Sequence, residues 1–372
     1  MSRYGNLDFD DDWYDRPLEK HFEHKQNVDQ VTDKRYRAIQ RAIVEAPEES
    51  EWNAWDEVVN WRNGMTLADA REFKRQMSES GLSSRYIEEN LSIVNSFLKE
   101  LLERDVIDSN PVAYVLDNTD FEYDSKDKIE RSISEIGTYL KRIPNLQQRA
   151  MGTVFSKTGV RNGENYNVDL PFLHLDHQAY YRVLDQHDVT LKDKVKDYPD
   201  SLYIPSEPTV GESFRSEERL LGNKRKRGTR IPIDQETKQA LLDWVAVRPE
   251  TAYPHPLWVS PVGQPTRIGF NNTNKKLTRS WAEETGLVDD GTTGKFTPHW
   301  FRHFFTTNMK PGRGHHENSI PPSLVKYIRG DVEEDIMKIY THNWGDQVSD
   351  QYLDAIYHFG IYNRSCQVKR KE

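Results

Sequence analysis

A histidine and an arginine three positions apart are the first residues in this sequence that suggest chemistry. His299 and Arg302 lie in the segment TPHWFRHFFTTNM at positions 297–309, and His303 follows the arginine directly. Residues three apart on a helix share a face, so an imidazole and a guanidinium can point into one cleft. The chemistry of such a cleft depends on the other side chains that join this pair.

Zinc binding is one hypothesis for the segment, because His299 and His303 form an H-x-x-x-H pair. The segment lacks the glutamate of H-E-x-x-H, which is the general base of zinc proteases with that motif. Cys366 is the only cysteine in the sequence, which excludes cysteine-based zinc sites and disulfide bonds within the chain. We therefore predict no metal site and no cofactor.

Three other segments carry residues that suit the same cleft. Arg161 lies in KTGVRNGENYNVDL, where a Thr-Gly turn leads into a predicted helix and Glu164 follows three residues later. Lys224 lies in the basic segment RLLGNKRKRGTR. Tyr340 lies in LVKYIRGDVEEDIMKIYTHNW, ten residues after Gly330.

The order of these residues along the chain resembles the tyrosine recombinase or phage-integrase family. The series is Arg161, Lys224, His299, Arg302 and Tyr340. The resemblance spans residues 27–365, and SGLSSRYIEENLSIVNSFLKELLERDVIDSNPV is similar to the helical core-binding domain of the family. It implies a mainly α fold with a small β-sheet (α+β), in which the core-binding domain precedes a tyrosine-recombinase catalytic domain of the DNA breaking-rejoining fold. In style, NKRKRGTRIPID and YIRGDVEEDIMKIYTHNW resemble integrases of halophilic archaea and their viruses.

The same residue types suit cleavage of a phosphodiester without metal or ATP. That reaction needs positive donors around the phosphate, an acid for the departing oxygen and a nucleophile that stores the bond energy. Arg161 and Arg302 can each bind non-bridging oxygens through two hydrogen bonds. Lys224 can protonate the leaving 5′-oxygen, and Tyr340 can form a 3′-phosphotyrosine link. His299 can orient the phosphate or accept the tyrosine proton.

Tyr352 is a rival nucleophile, and two further tyrosines follow it at positions 357 and 362. It falls in a predicted final helix with apolar residues at intervals of four, four and three, which places it on the buried face and favours Tyr340. The positions of that face are Val348, Tyr352, Ile356 and Phe359. In this family such a helix packs onto the neighbouring subunit; the alternative is that it packs onto its own core.

Asp331 departs from the family pattern. The family usually has histidine or tryptophan directly after the glycine, and an ionised carboxylate cannot donate a hydrogen bond to phosphate. Asp331 can instead cap the predicted helix DVEEDIMKIY, with Glu334 completing a capping box. The missing donor is then Arg329 or His342, or is absent. The interval between Arg302 and Gly330 is longer than in the family because of the segment KPGRGHHENSIPP, which has no assignment.

The acidic balance of the chain needs reconciling with a DNA partner. The net charge is −9, which argues against a polyanionic ligand. The charges are uneven, since residues 1–24 hold seven acids and three bases, whereas residues 219–230 hold six bases and no acid. Such a patch contacts phosphates or is a solvated loop. In a halophile, surface carboxylates would suit concentrated salt, where the Debye length falls to about 3 Å at 1 M.

The predicted DNA contacts lie in this patch and beside the glycine. They are Lys224, Arg225, Lys226, Arg227, Arg230 and Arg329. Lys226 is also the alternative to Lys224 as the general acid.

The helices and strands that must position these residues are predicted from apolar spacing and from capping and helix-breaking residues. Thr66 and Asp69 predict a capping box at the start of one helix, and the stripe Ile87, Leu91, Val94, Leu98 and Leu101 predicts a second. Two more helices are broken near Pro144, and the second ends at Gly159. Strands are predicted at HQAYYRVLD, SLYIP and TRIPID, with an inserted loop across residues 186–218. Helices dominate again after Glu236.

Four segments are predicted along the chain. They are an acidic tail at 1–26, a helical core-binding domain at 27–115, a linker at 116–128 and a catalytic domain at 129–372. There is no run of eighteen apolar residues and no apolar signal core in the first twenty. We therefore expect a cytoplasmic, nucleoid-associated protein with no membrane contact.

Three functions remain open. The first is site-specific recombination of double-stranded DNA at attachment-type sites, by a homotetramer joined through the C-terminal helix. The second is relaxation of supercoils, as in a type IB topoisomerase, which uses nearly the same chemistry without a defined site. The third is DNA binding without cleavage, which Asp331 suggests because it could mark a degenerate active site.

Overall fold

The computed structural model describes residues 20, 21, 23, 65–123, 129–208, 211–214, 217–260, 263, 265–289, 296–311, 319–331 and 344–362. The chain divides into two compact units, Met1–Asp127 and Lys128–Glu372. Tyr340 and His342 fall outside the described residues, as do most of the predicted tail and Glu334. No helix in the described ranges is long and apolar enough to span a membrane.

The first unit consists of helices where it is described. They are α1 (Leu67–Glu79), α2 (Ser84–Glu103) and α3 (Pro111–Asp117). The predicted capping box opens α1, because the Thr66 hydroxyl accepts from the Asp69 amide at 3.2 Å and the Asp69 carboxylate accepts from the Thr66 amide at 2.8 Å. The predicted apolar stripe of α2 is buried along its whole length. Helix α3 covers the first two residues of the predicted linker, 116 and 117.

The second unit begins with the helices that carry the first arginine. They are α4 (Ile133–Arg142), α5 (Leu146–Thr158) and α6 (Asn162–Tyr166). The break at Pro144 and the end of α5 before Gly159 are confirmed. Gly159 has φ +60°, and a Cβ on it would lie 2.6 Å from the Phe305 ring. A glycine is therefore needed here both for the backbone conformation and for close packing.

A small antiparallel sheet of three strands follows, and its strands neighbour one another in chain order. Its strands are β1 (Leu173–His174), β2 (Ser201–Ile204) and β5 (Thr229–Pro232). Leu202 of β2 pairs with Leu173 and with Ile231, so the strands predicted at SLYIP and TRIPID are confirmed and β5 lies at the sheet edge. A separate ribbon, β3 (Ser213–Phe214) with β4 (Glu217–Glu218), lies within the predicted inserted loop.

The strand predicted at HQAYYRVLD is wrong, because the segment forms helix α7 (Gln178–Gln186). Its buried residues are Tyr180 and Leu184, four apart, which is the spacing of one helical face rather than of alternate strand positions. The His177 ring nitrogen also accepts from the Ala179 amide at 3.2 Å and caps the helix start. The aromatic content of the segment favoured a strand, but its buried residues are spaced as on one face of a helix.

Helices complete the second unit. They are α8 (Gln235–Val245), α9 (Phe270–Lys275), α10 (Trp281–Glu284), α11 (Pro298–Met309), α12 (Pro322–Arg329) and α13 (Asp350–Ala355), with π-helical turns at Lys276–Ser280 and Gly345–Ser349. Helix α11 carries the histidine and the second arginine, as predicted.

The final helix is shorter than predicted, because α13 ends at Ala355 and Ile356 and Phe359 lie beyond it. Those residues are nevertheless buried in the core of their own chain, together with Tyr352. The buried residues of 344–362 therefore pack onto the core of this chain, and the contact of the C-terminal helix with a neighbouring subunit stays a prediction.

A buried ionic cluster holds this C-terminal segment. The Lys157 ammonium is fully buried and pairs with Asp234 at 2.5 Å and Glu236 at 2.7 Å. The Glu236 carboxylate accepts from the amides of Phe359 at 2.9 Å and Ile361 at 2.8 Å. Since Lys157 lies in the last turn of α5, the segment is fastened to the helix that leads into Arg161.

Candidate active site

Two guanidiniums converge on one anionic oxygen in the second unit. Nη2 of Arg161 lies 2.6 Å from Oδ1 of Asp331, and Nη2 of Arg302 donates to the same oxygen. Nη2 of Arg329 pairs with the other carboxylate oxygen, Oδ2, at 2.9 Å. The residues come from the start of α6, the middle of α11 and the end of α12, so tertiary packing brings three guanidiniums around one carboxylate. We call this group of Arg161, Arg302 and Arg329 the arginine pocket.

Arg161 is fixed at both its backbone and its side chain by one carboxylate. Glu164 Oε2 accepts from the Arg161 amide at 2.8 Å, and Glu164 Oε1 accepts from Nη1 of Arg161 at 2.9 Å. Burial alone would raise the pKa of Glu164, but the charges of Arg225 and Arg161 and the hydrogen bonds from Arg161 leave it below its ordinary value. Glu164 is therefore ionised at neutral pH and holds Arg161 toward Asp331.

Arg302 is almost fully buried, with 2% of its surface exposed. Its Nη1 donates to the carbonyls of Gly159 at 2.7 Å and Arg329 at 2.9 Å. Burial, together with the neighbouring charges of Arg329 and Arg161, lowers its pKa to about 10. The guanidinium therefore stays protonated at neutral pH, and its Nη1 atom is oriented by two backbone carbonyls.

His299 lies one turn before Arg302 on α11 and is exposed. Removal of part of its ring from water, and then the charges of Arg302 and Arg329, lower the pKa of His299. The imidazole is therefore neutral at neutral pH and offers one donor and one acceptor nitrogen.

The zinc hypothesis gains nothing from the geometry. The rings of His299 and His303 meet edge to face with centroids 4.6 Å apart. In the described ranges, the group of metal-ligand side chains that comes together is Asp234, Glu236 and His358. Two members of that group already pair with the Lys157 ammonium.

The basic segment alternates between buried and exposed residues. Lys224, Lys226 and Arg227 are exposed, whereas Asn223 is 2% and Arg225 is 4% exposed. Lys224 is therefore flanked by a buried residue on each side, and Lys226 on one side only.

Two of the residues predicted to contact DNA, Arg225 and Arg230, have partners within the chain. The Arg225 side chain is fully buried, and its Nη2 lies 3.2 Å from Glu164 Oε2. Arg230 stacks on aromatic rings, with its guanidinium carbon 3.2 Å from the centroid of Tyr198 and 4.9 Å from that of Trp344. The run KRKR does not distinguish Arg225 from its exposed neighbours, because Glu164 lies 61 residues away in the sequence.

Asp331 follows a helix terminus that depends on glycine. Gly330 has φ +72° and ends α12, while the Asp331 amide donates back to the Lys326 carbonyl at 3.0 Å. This is the Schellman arrangement, in which glycine takes the left-handed position. The predicted cap on the following helix depends on Glu334, outside the described residues, whereas the Asp331 carboxylate is bound by arginines. Arg329, expected to contact DNA or supply the missing donor, is one of them.

Tyr352 and the next tyrosine are engaged in the core. The Tyr352 hydroxyl donates to the Lys157 carbonyl at 2.8 Å, and the Tyr357 hydroxyl donates to the Ser156 carbonyl. Burial raises the pKa of both phenols well above the ordinary value. Neither phenol faces the arginine pocket, in agreement with the buried position predicted for Tyr352.

Comparison with solved structures identifies the fold. The Tn1549 transposon integrase in complex with a circular intermediate DNA has a TM-score of 0.53 at 16% identity, covering 87% of this chain and 94% of that chain. The same integrase in complex with transposon right end DNA gives 0.53 at 17% identity, covering 87% and 93%. No protein-family model matches the sequence, and neither does any curated protein. The predicted fold is confirmed: the chain has the mainly helical architecture with a small antiparallel sheet found in tyrosine recombinases.

Proposed function

We propose that this protein is a site-specific tyrosine recombinase, an integrase that cleaves and rejoins double-stranded DNA at attachment-type sites. The observation that carries the proposal is the shared oxygen of Asp331, which both Arg161 and Arg302 bind. Two guanidiniums on one oxyanion match the charge that develops on a phosphate during substitution. The solved structures of similar fold are integrases in complex with DNA, which supports DNA as the partner.

In this proposal the scissile phosphate takes the place of the Asp331 carboxylate between the two arginines. The Tyr340 phenol oxygen attacks phosphorus, and His299, neutral before the reaction, accepts the phenol proton. The bond from phosphorus to the 5′-oxygen breaks, and Lys224 donates a proton to that oxygen. The products are a 3′-phosphotyrosine and a free 5′-hydroxyl, and attack by a 5′-hydroxyl on the phosphotyrosine rejoins the strand. Neither metal nor ATP takes part.

The test is to trap the covalent intermediate on DNA in which the target sequence is left to selection. A library of nicked duplexes with a randomised core releases a short fragment after cleavage, so the adduct cannot reverse. Adducts that survive denaturation are isolated, their DNA is sequenced and the linked peptide is mapped by mass spectrometry. We expect one enriched DNA sequence and a nucleotide remnant on Tyr340.

Two phenylalanine variants serve as a matched pair. Tyr340→Phe should bind DNA and form no adduct, whereas Tyr352→Phe should keep adduct formation, because it removes only a buried hydroxyl bonded to a carbonyl. DNA binding without any adduct would instead identify a regulator with a degenerate site, the function that Asp331 favours. Relaxation of any plasmid without sequence enrichment would identify a topoisomerase.

A further inference from the structure

Arg225 is a charged residue buried where three elements of the pocket meet. Its Nη2 donates to the Ile328 carbonyl in α12 at 3.1 Å and pairs with Glu164 of α6 at 3.2 Å. Its Nη1 donates to the Thr229 hydroxyl at the start of β5. A Cβ built on Gly330 would lie 2.7 Å from its guanidinium carbon, so the guanidinium fills the space beside the helix terminus that carries Asp331.

Burying the Arg225 guanidinium costs desolvation free energy, which an ion pair often offsets only in part. Burial lowers the pKa of Arg225 despite the opposing charge of Glu164, and buried ion pairs often stabilise a fold no better than apolar side chains of similar volume. Stability alone therefore gives little reason to place a guanidinium here. An arginine does, however, provide several donors in a fixed plane, which can tie several elements together in one arrangement.

Glu164 links Arg225 to the first arginine of the pocket. Its Oε2 atom accepts both from the Arg161 amide and from Arg225, and its Oε1 atom accepts from the Arg161 guanidinium. One carboxylate thus sets the positions of a pocket arginine and of the residue next to Lys224.

The backbone on the other side of Lys224 is equally restrained. The Asn223 side-chain amide donates to the carbonyls of Pro205 and Glu207, each at 2.9 Å. A Cβ on Gly163 of α6 would lie 2.8 Å from the Gly222 carbonyl oxygen, so the segment packs directly on α6. The exposed Lys224 therefore projects from a short stretch that is held on both sides.

We propose that Arg225 is a positioning residue that holds the backbone at Lys224 in register with the arginine pocket, and that it does not contact DNA. The inference rests on the proposed function, in which Lys224 protonates the leaving 5′-oxygen. Fixing the backbone leaves only the lysine side-chain torsions to be ordered at the phosphate, and correct placement of a catalytic group carries much of its contribution to rate.

The test uses the full chain and the DNA sequence enriched in the adduct experiment, with either oxygen or sulfur as the bridging 5′-atom. A thiolate leaves without a proton, so sulfur removes the need for the acid. Arg225→Gln should slow cleavage of the oxygen substrate by at least about tenfold, part of the 10²–10⁴-fold that a general acid contributes. Sulfur should return the variant to within about threefold of wild type, as it should for Lys224→Ala and not for Arg161→Ala.

Four further measurements make the result specific. DNA affinity and its salt dependence should be unchanged in Arg225→Gln, since a lost phosphate contact would reduce both. The double variant Lys224→Ala, Arg225→Gln should cleave the oxygen substrate no more slowly than Lys224→Ala. Arg225→Lys, which keeps the charge but not the planar donors, should show the same sulfur rescue. Arg248→Gln removes another buried arginine, bonded to the Pro256 carbonyl, and should slow both substrates equally or neither.

The outcomes separate this inference from the proposed function. Equal loss on oxygen and sulfur substrates in both Arg225 variants, or no loss, would overturn the positioning role, as would weaker DNA binding with a smaller salt slope. Absence of adducts from wild type on either substrate would overturn the proposed function itself.

Discussion

The Asp331 carboxylate lies among the three guanidiniums of the arginine pocket and occupies the position where a phosphate would bind in the proposed reaction. An ionised carboxylate at this position cannot act as a hydrogen-bond donor to phosphate, because it has no proton to donate. Instead it accepts hydrogen bonds from Arg161 and Arg302 and forms an ion pair with Arg329. Its negative charge offsets part of the repulsion among the three guanidiniums. A phosphate that binds between Arg161 and Arg302 must displace the Asp331 carboxylate, so this carboxylate competes with phosphate for the two arginines.

We therefore predict that Asp331→Asn strengthens anion binding and weakens the unliganded fold. Losing the charge should lower the free energy of unfolding by about 1–3 kcal/mol, less than for a fully buried pair because the side chain is partly exposed. Sulfate should restore more stability to the variant than to wild type, as measured by denaturant unfolding with and without the anion.

Covalent adduct formation by Asp331→Asn should also rise, since an amide can donate to phosphate. The exposed carboxylate of Asp193, paired with Lys196, provides the control variant Asp193→Asn, which should respond to sulfate as wild type does. Equal stabilisation of wild type and Asp331→Asn by sulfate would show that Asp331 does not compete with anions.

At the level of elements, the pocket depends on how helices end. Helix α5 ends at Gly159, whose carbonyl accepts from Arg302, and α12 ends at Gly330, beside Arg225. Each glycine takes a left-handed backbone conformation and also lies against a neighbouring side chain. The helix termini therefore determine both the direction of the chain and the distance between the pocket residues.

Gly330→Ala tests this coupling against a matched glycine. Gly360 has a similar positive φ of +68° but no neighbouring atom within 4 Å of a built Cβ. Gly360→Ala should cost only the backbone strain, about 1–2 kcal/mol. Gly330→Ala should cost more and slow adduct formation, because its methyl group displaces the Arg225 guanidinium. Denaturant unfolding and adduct rates measure the two effects, and equal behaviour of both variants would argue against the coupling.

For the whole molecule, the division into two units places their boundary at Asp127–Lys128. Few contacts cross a domain boundary, and proteases cleave preferentially at such places. Helix α3 extends through Asp117, so residues 118–128 are the part of the predicted linker that lies outside this helix.

Limited trypsin digestion should therefore cut after Lys126 or Lys128 and release a stable fragment that begins near residue 129. Mass spectrometry of the early fragments identifies the cut. The variant Lys126→Gln, Lys128→Gln should lose it and retain all other cleavages. A first cut within residues 129–208 would contradict the assignment. The released fragment should keep weak adduct formation but bind DNA less tightly than the full chain, because it lacks the predicted core-binding domain.

Local features of this protein were determined by the sequence alone. The capping box of α1, the stripe of α2, the glycine at the end of α5 and the helix that carries His299 and Arg302 all depend on residues within a few positions of one another. The order of Arg161, Lys224, His299, Arg302 and Tyr340 also indicated the fold. HQAYYRVLD failed because aromatic content and helical spacing gave opposite indications within one short segment.

Only the tertiary structure decided which charges are buried and which meet. Asp331 binds partners 170 and 29 residues away in the chain, and Arg225 pairs with a carboxylate 61 residues away. Nothing in KRKR distinguishes the buried arginine from the exposed lysines, since the free energy of a buried charge depends on the opposite charge that packing brings to it. Sequence spacing predicts interactions along one element, whereas the arginine pocket forms only where the ends of α5 and α12 meet α6 and α11.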